Sequence, residues 1–316
     1  MSAQSTEGLL ASRLVMVTGK GGTGKTTFAA ALSLLSAARG SRTLLCEIDS
    51  QRPSLTPIFG SHPRFAPQQV RPGLDLCNIE WEPALESFLE GLVPSRRIVK
   101  LILGNPIVSK FLDFTPGSQE LVELSALGQY VEQYDTVIVD MPASGHAFSL
   151  LDITRSAMGL FRSGPVRRRA SELRELLTAQ TTRVAFVALP EEMVVNETLE
   201  TIERMRSFDL IGGEPIVYLN RATLPTLTDA ERALVARLGA LALSPAETEF
   251  VRAGLWEDVL EQGTAHSRER LHDGIGIEPV LVGPAAPGRS AREVVQDVAV
   301  SLGREVGLTR RDLSWT

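Results

Sequence analysis

The chain has 316 residues, with 43% hydrophobic and 22% charged side chains, as is typical of a globular protein with a buried core. Its formal net charge of −6 excludes a general attraction to nucleic acid or anionic membranes, so no nucleic acid partner is expected. The two cysteines, Cys46 and Cys77, are too few and too far apart in sequence for a disulfide framework or a zinc site. No secretory signal or membrane span is recognised, and a cytoplasmic location is predicted.

Short apolar runs alternate with helical patterns along most of the chain. In chain order they predict a strand at Arg13–Thr18, a helix at Thr26–Arg39, strands at Thr43–Ile48, Asp135–Asp140 and Arg183–Leu189, a helix at Glu191–Phe208, a strand at Pro215–Leu219, a helix at Thr228–Leu241, a strand at Glu278–Val282 and a helix at Ser290–Leu302. Strands that alternate with helices form parallel βαβ units. The sequence therefore predicts an α/β fold with a doubly wound, mostly parallel sheet.

Two stretches are too long for single crossovers and have apolar residues at helical spacing. The first separates the second and third predicted strands by about 85 residues. Its predicted helices are Pro83–Leu92, Arg96–Leu103, Pro106–Asp113 and Ser118–Gln133, and a second helical stretch covers Phe148–Ala179. We predict a single domain, residues 1–316, with helical insertions at about 80–133 and 148–180.

A glycine-rich loop follows the first predicted strand and precedes the first helix. It reads Gly-Lys-Gly-Gly-Thr-Gly-Lys-Thr from Gly19 to Thr26 and fits the phosphate-binding pattern G-x-x-x-x-G-K-[ST] in its required context. Glycines let successive backbone N–H groups point at phosphate oxygens, while Lys25 neutralises phosphate charge and the Thr26 hydroxyl ligates Mg²⁺. The predicted α/β fold is therefore of the P-loop NTPase type, and ATP and Mg²⁺ are the expected cofactors. The predicted nucleotide-binding residues of the loop are Gly19, Gly21, Gly22, Thr23, Gly24, Lys25, Thr26 and Thr27.

Two aspartates end predicted strands at the same edge of the sheet. Asp140 follows the apolar run Val137–Val139, where a carboxylate holds the magnesium shell, although a strand-ending aspartate can also cap a turn. Asp49 ends the second strand, where it can orient or deprotonate the attacking water. The alternative for Asp49 is a turn residue in the segment EIDSQRPS.

The loop GKGGTGKTT, with a lysine directly after its first glycine, resembles the deviant Walker A motif of the ArsA-like ATPases. These include the arsenite-pump ATPase and the targeting ATPase for tail-anchored membrane proteins, with MinD, ParA and the nitrogenase iron protein as distant relatives. The segment Tyr134–Leu151 is similar to the switch II of that family, with Asp140, Gly145 and His146 in register. Asp49–Gly60 resembles its switch I, but Arg52 or Pro53 replaces the histidine.

The resemblance implies a role for Lys20, which would reach the phosphates of a facing subunit and assist catalysis there. Since the sequence contains one loop, the second half must come from another chain, either as a homodimer or as a heterodimer with a paralogue. The resemblance also implies that Gly145 lies at the nucleotide and that Asn220 reads the adenine edge. For Asn220 the alternative is a strand-ending asparagine, and His146 is interpreted as a switch residue rather than a metal ligand.

Three function classes remain open from the sequence. The favoured class is an ATP-hydrolysing dimer that binds a hydrophobic client or a membrane partner through the helical insertions, whose apolar residues can otherwise simply pack on the sheet. The second is a positioning ATPase like MinD or ParA, and the third is a non-catalytic scaffold beside an active paralogue, suggested by the altered switch I. Arsenite capture is disfavoured because Cys77 stands alone in sequence, and no zinc is expected because the chain has no CxxC pair.

Overall fold

An eight-stranded sheet runs through the computed structural model, which describes residues 6–48, 50, 52–93, 95–105, 117–241 and 244–313. The strands are β1 Leu14–Thr18, β2 Thr43–Ile48, β3 Gln68–Arg71, β4 Leu74–Ile79, β5 Thr136–Asp140, β6 Thr182–Ala188, β7 Ile216–Asn220 and β8 Val280–Val282. Their order is β3-β4-β2-β5-β1-β6-β7-β8, and β3 pairs antiparallel with β4 while the other neighbours are parallel. The predicted α/β fold with a mostly parallel sheet is confirmed.

Helices cover both faces of this sheet. They are α1 Thr6–Leu10, α2 Lys25–Ala38, α3 Thr56–Phe59, α4 Trp81–Leu92, α5 Arg96–Leu103, α6 Ser118–Val131, α7 Ser144–Leu160, α8 Pro165–Thr178, α9 Glu192–Ser207, α10 Asp229–Leu238, α11 Pro245–Ile275 and α12 Ala291–Gly303. The predicted helix Pro106–Asp113 lies outside the described residues. Within the described ranges, no helix combines the length and apolar character needed to cross a membrane.

The sheet separates two hydrophobic layers, and alternate residues of β1 point into each. Leu14 and Met16 face a layer built with α4, α6, α7, α8 and α9. Val15 and Val17 face the other layer, which contains α2 and α12. Because all five residues of β1 are buried, this strand is fixed on both faces and gives the loop that follows it a rigid base.

The strands β3 and β4 were missed by the sequence prediction, which assigned only helices to the insertion after β2. Gln68–Arg71 is a polar, half-exposed edge strand, and Asp75 and Asn78 interrupt the apolar pattern of Leu74–Ile79. The buried Asn78 side chain is satisfied by the backbone of Ser50. It accepts from the Ser50 N–H at 3.1 Å and donates to the Ser50 carbonyl at 2.9 Å. It thereby fixes the backbone just beyond β2.

The pairing of β4 with β2 also corrects the interpretation of the cysteines. Cys46 and Cys77 are partners in the register of these strands, and their Sγ atoms lie 3.0 Å apart. Both are free, buried thiols, but the expectation that Cys77 stands alone was wrong. Distance along the chain gave no indication of this contact because it depends on a strand pairing that was not recognised.

The region after β7 contains a long helix that was also missed. The pattern Thr228–Leu241 predicted one helix, whereas α10 is followed by α11, which has 31 residues. Thr228 and Ser244 cap these helices through reciprocal bonds with Glu231 and Glu247. α11 lacks a continuous apolar stripe, and its Phe250 and Trp256 are 74% and 63% exposed, so hydrophobic periodicity gave no signal for it.

Candidate nucleotide-binding site

The glycine-rich loop lies at the carboxyl end of β1, in the centre of the sheet. β1 pairs with β5 on one side and with β6 on the other. The crossover through α2 leads from β1 to β2 on one side of the sheet, whereas β6 lies on the other side of β1. Strand order reverses at this point, which leaves a crevice at the carboxyl ends of the strands. α2 begins at Lys25, and its free N–H groups make the crevice favourable for phosphate.

Three loop glycines have backbone angles that favour glycine. Gly19, Gly22 and Gly24 have φ values of 143°, 84° and 101°. An added Cβ on Gly24 would lie 2.8 Å from the side-chain nitrogen of Asn220. That nitrogen donates to the Thr23 carbonyl at 2.8 Å, while the Thr23 hydroxyl donates to the Lys20 carbonyl at 2.9 Å. The loop conformation is therefore stabilised by hydrogen bonds within the chain, and β7 contributes through Asn220.

Gly19→Ala is expected to lower the free energy of unfolding by roughly 2 kcal/mol and to weaken ATP binding at least about tenfold. The added Cβ would meet the Val187 carbonyl oxygen at 2.2 Å, so the loop or β6 has to shift. Gly21→Ala is the matched control for the unfolding measurement, because no heavy atom lies within 4 Å of its added Cβ. Urea unfolding and titration with a fluorescent ATP analogue measure both effects. Equal losses in the two variants would contradict the steric explanation.

The two lysines of the loop have different environments. The half-buried Lys25 donates from Nζ to the Lys20 carbonyl at 3.3 Å. Burial lowers the pKa of Lys25, and the carboxylates of Asp140 and Glu197 oppose that shift. Lys20 instead pairs with Glu197 of α9, with 3.4 Å between Nζ and Oε2, and about a third of its side chain is exposed. The loop thus has one inward cation and one at its rim.

Glu197 is a site residue that the sequence reasoning missed. Besides pairing with Lys20, its carboxylate accepts a hydrogen bond from the hydroxyl of Ser144, the first residue of α7. Ser144 belongs to the segment interpreted as switch II, so Glu197 connects that segment to the loop. Its local sequence, Val-Val-Asn-Glu-Thr, is that of an ordinary amphipathic helix, and no signal in it marks the contact.

Thr26 and Asp140 lie together, as their predicted roles require. The Thr26 hydroxyl donates to Asp140 Oδ2 at 2.6 Å, while Asp140 Oδ1 is buried and accepts no hydrogen bond. Burial raises the pKa of Asp140 to about 6, although the Thr26 bond and the charge of Lys25 lower it. A hydroxyl beside a partly unsatisfied carboxylate suits Mg²⁺, which binds through one or two protein oxygens, waters and phosphate. No group of three or more His, Cys, Asp or Glu side chains is arranged for a metal within the described part of the chain.

The metal-free protein is expected to become less stable as the pH rises from about 4 to about 7. Burial raises the pKa of Asp140 from 3.8 to about 6 and that of Glu47, its neighbour on β2, from 4.5 to about 7. Because ionisation then costs less in the unfolded chain, each carboxylate lowers the free energy of unfolding by roughly 3 kcal/mol across this range, and the stability is level above it. Urea unfolding at several pH values measures the fall, which Asp140→Asn should reduce; an unchanged profile in that variant would refute the assignment.

The remaining predicted site residues lie around the same crevice or outside the described residues. Thr27 is in the first turn of α2, and Gly145 is an exposed residue in the first turn of α7. Asn220 ends β7 with its side chain on the loop, so its role in reading adenine remains a prediction. Asp49 lies outside the described residues, and its catalytic role also remains a prediction.

The doubly wound sheet and its loop define a P-loop NTPase with a second lysine in the phosphate-binding segment. The family model of the anion-transporting ATPases matches residues 12–177. The chain is 30% identical to the ATPase BagA of Mycobacterium tuberculosis over 260 residues, which are 77% of this chain and 73% of that protein. It is 27% identical to ATPase ASNA1 homolog 1 of Paramecium tetraurelia over 140 residues, 44% of this chain and 42% of that protein. The chain belongs to the anion-transporting, ArsA-like ATPase family, which supports nucleotide binding and ATPase activity at the level of the family.

Proposed function

We propose that the protein is a Mg²⁺-dependent ATPase that works as a dimer and couples the closure of its two subunits on ATP to the binding of a hydrophobic client. Mg²⁺ would be held by Thr26 and Asp140, where it would neutralise charge on the β- and γ-phosphates. Lys25 would neutralise phosphate charge within its own subunit. Lys20 would act in the facing subunit.

The position of Lys20 is the observation that carries this proposal. Its Nζ pairs with Glu197 at the rim of the site and its side chain is 34% exposed, whereas Lys25 is directed into the loop. A rim cation can leave an exposed ion pair at little cost, because such pairs contribute about 0–1 kcal/mol. Approach of a second subunit would then offer Lys20 a stronger partner, the phosphates of the facing nucleotide.

A cavity in the helical layer supports the hydrophobic client. It has a volume of about 230 Å³ and lies between α4, α6, α7 and the start of α8. Its lining is mainly apolar and includes Leu85, Phe88, Leu121, Ile153, Leu160 and Phe161. Leu160 and Phe161 remain 75% and 40% exposed, so apolar side chains at the cavity are accessible to a client. The cavity adjoins α7, whose first turn carries the switch II residues, so nucleotide can affect its shape through one helix.

The proposal is tested by steady-state ATP hydrolysis and by binding of an apolar helical peptide to the purified chain. We expect turnover that requires Mg²⁺, and peptide affinity that differs between ATP, ADP and nucleotide-free protein. Leu160→Asp, at a 75% exposed position of the cavity lining, should weaken peptide binding without lowering nucleotide affinity, whereas Ile98→Asp, at a 46% exposed position on α5 away from the lining, is its control. Peptide affinity that is identical in all nucleotide states would refute the coupling.

The altered switch I supports one alternative function, a nucleotide-gated scaffold, which the same experiments distinguish. Arg52 or Pro53 stands where the resembling segment has a histidine, and this favours slow hydrolysis. A chain that binds ATP and dimerises but shows no turnover alone would be a nucleotide-gated scaffold. Turnover that appears only when a paralogous chain is added would identify the heterodimer.

A further inference from the structure

Glu47 is a buried carboxylate beside the candidate magnesium site. It is the penultimate residue of β2 and is 3% exposed. In the register of β2 and β5, its Cα partner is Asp140. Partners on adjacent parallel strands project to the same face of the sheet, with their backbones about 4.8 Å apart. Glu47 therefore lies next to Asp140, on the side of the sheet that also carries α2.

The hydrogen bonds of this carboxylate are incomplete in a specific way. Glu47 Oε1 accepts from the Ser54 N–H at 2.7 Å, but Oε2 is buried and has no hydrogen-bond partner. Asp140 has the same deficiency, because its Oδ1 is buried and unpaired. Two unsatisfied carboxylate oxygens on neighbouring strands are costly unless a cation or its water ligands complete them.

The positive charge near this pair comes from the loop. Lys25 interacts with the charge of Asp140, but its Nζ donates to the Lys20 carbonyl rather than to either carboxylate. Thr26 satisfies one oxygen of Asp140 and leaves the other. The donors of the loop thus leave Glu47 Oε2 and Asp140 Oδ1 for a further ligand.

We propose that Glu47 is an additional residue of the magnesium site, which holds a water of the cation through Oε2 and connects the cation to the switch I segment through Ser54. This inference rests on the proposed use of Mg²⁺ at Thr26 and Asp140. Mg²⁺ keeps several of its waters in such sites, and these waters need carboxylate acceptors. The Ser54 bond gives the residue its second function, because the position of the cation then affects the backbone that follows β2.

Glu47→Gln is the decisive substitution. The amide keeps an oxygen that can accept from Ser54 but removes the charge and replaces the other oxygen by a donor. We expect the Mg²⁺ concentration needed for half-maximal ADP or ATP binding to rise about tenfold, the effect typical of residues that orient a metal's ligands. Nucleotide affinity in EDTA should stay unchanged. Mn²⁺ titration followed by electron paramagnetic resonance provides a second readout that does not depend on turnover.

Glu123→Gln is the matched control. Glu123 is also a buried glutamate, at 1% exposure, but it lies on α6 and away from the loop. The Glu123→Gln variant should leave the Mg²⁺ concentration for half-maximal nucleotide binding, the Mg²⁺ midpoint, unchanged. A Glu47→Gln variant with the wild-type midpoint, in a protein whose nucleotide binding does depend on Mg²⁺, would overturn the proposal for Glu47 alone. Wild-type binding without any Mg²⁺ dependence would overturn the proposed function as well.

Hydrogen exchange of the wild-type chain covers the case in which Glu47→Gln does not fold. Mg²⁺ added to the ADP complex should slow exchange of the Ser54 amide, because that N–H donates to Glu47. The Asn78 amide, which donates to the Arg64 carbonyl, should not change. If the exchange rate of the Ser54 amide did not change on adding Mg²⁺, the proposed link between the cation and the switch I segment would be wrong.

Discussion

Replacing Lys20 by alanine is expected to lower ATP turnover about 10³-fold while ATP affinity changes little. A cation supplied by a facing subunit stabilises the charge that develops on the γ-phosphate, as an arginine finger does. Lys25 remains in place to bind nucleotide, and the loop keeps the hydrogen bonds from Thr23 and Asn220. The affinity of the ground state should therefore survive the loss of catalysis.

The measurement combines steady-state turnover, nucleotide titration and analytical ultracentrifugation in ATP. Lys100→Ala is the control, because Lys100 is a lysine on α5, in the helical layer and outside the loop. We expect that variant to hydrolyse ATP like the wild type. In Lys20→Ala, turnover and ATP-dependent dimerisation should fall together. Full turnover by a monomeric Lys20→Ala protein would refute the role in the facing subunit.

The contact with Glu197 makes a further distinction possible. In the single chain Lys20 is paired, so dimer closure has to exchange Glu197 for phosphate. Glu197→Gln should then favour closure, provided that the Ser144 hydroxyl still finds an acceptor in the amide. We therefore expect Lys20→Ala to weaken ATP-dependent dimerisation and Glu197→Gln to strengthen it. These opposite effects would support the replacement of Glu197 by phosphate as the partner of Lys20, because general damage to the loop would weaken dimerisation in both variants.

The central part of the fold could be predicted because its signals are local. The first strand, the loop and α2 follow one another in sequence, and the loop motif specifies the backbone it needs. The proximity of Thr26 and Asp140 could also be predicted. Asp140 ends β5, and Thr26 lies in the first turn of the helix that follows the neighbouring parallel strand β1, so both lie at the same edge of the sheet. Glycine positions in the loop correspond to φ values that other residues rarely adopt.

The parts that sequence reasoning missed depend on contacts between distant segments. β4 is a strand because β2 and β3 flank it, and its Asp75 and Asn78 conceal that in the sequence. Glu197 matters only because the start of α9 packs beside the loop and the start of α7. The sequence motif points to Asp49 as the site carboxylate of this segment and gives no signal for Glu47. The proposed role of Glu47 depends on its register with Asp140, which the sequence does not specify.

Asp140→Asn is expected to lower turnover at least about 100-fold, which corresponds to about 3 kcal/mol in the activation free energy. The amide still accepts from Thr26, but it removes the charge that would hold the cation beside the phosphates. ATP binding in EDTA should be unchanged, and the increase in affinity on adding Mg²⁺ should be lost. Asp135→Asn is the control, because Asp135 precedes the opposite end of β5 and its Oδ2 accepts from the Arg42 N–H at 2.8 Å.

The same substitution should stabilise the metal-free fold, and this opposite effect is what separates a binding site from a structural one. Burial raises the pKa of Asp140 to about 6, so its charged form is costly at neutral pH when no cation is present. Asparagine removes that cost, and the free energy of unfolding at about pH 8 should rise. A bound cation would offset this cost, which a purely structural role would not require. If Asp140→Asn lost both activity and stability, the carboxylate would be a structural partner of Thr26 and the magnesium assignment would be wrong.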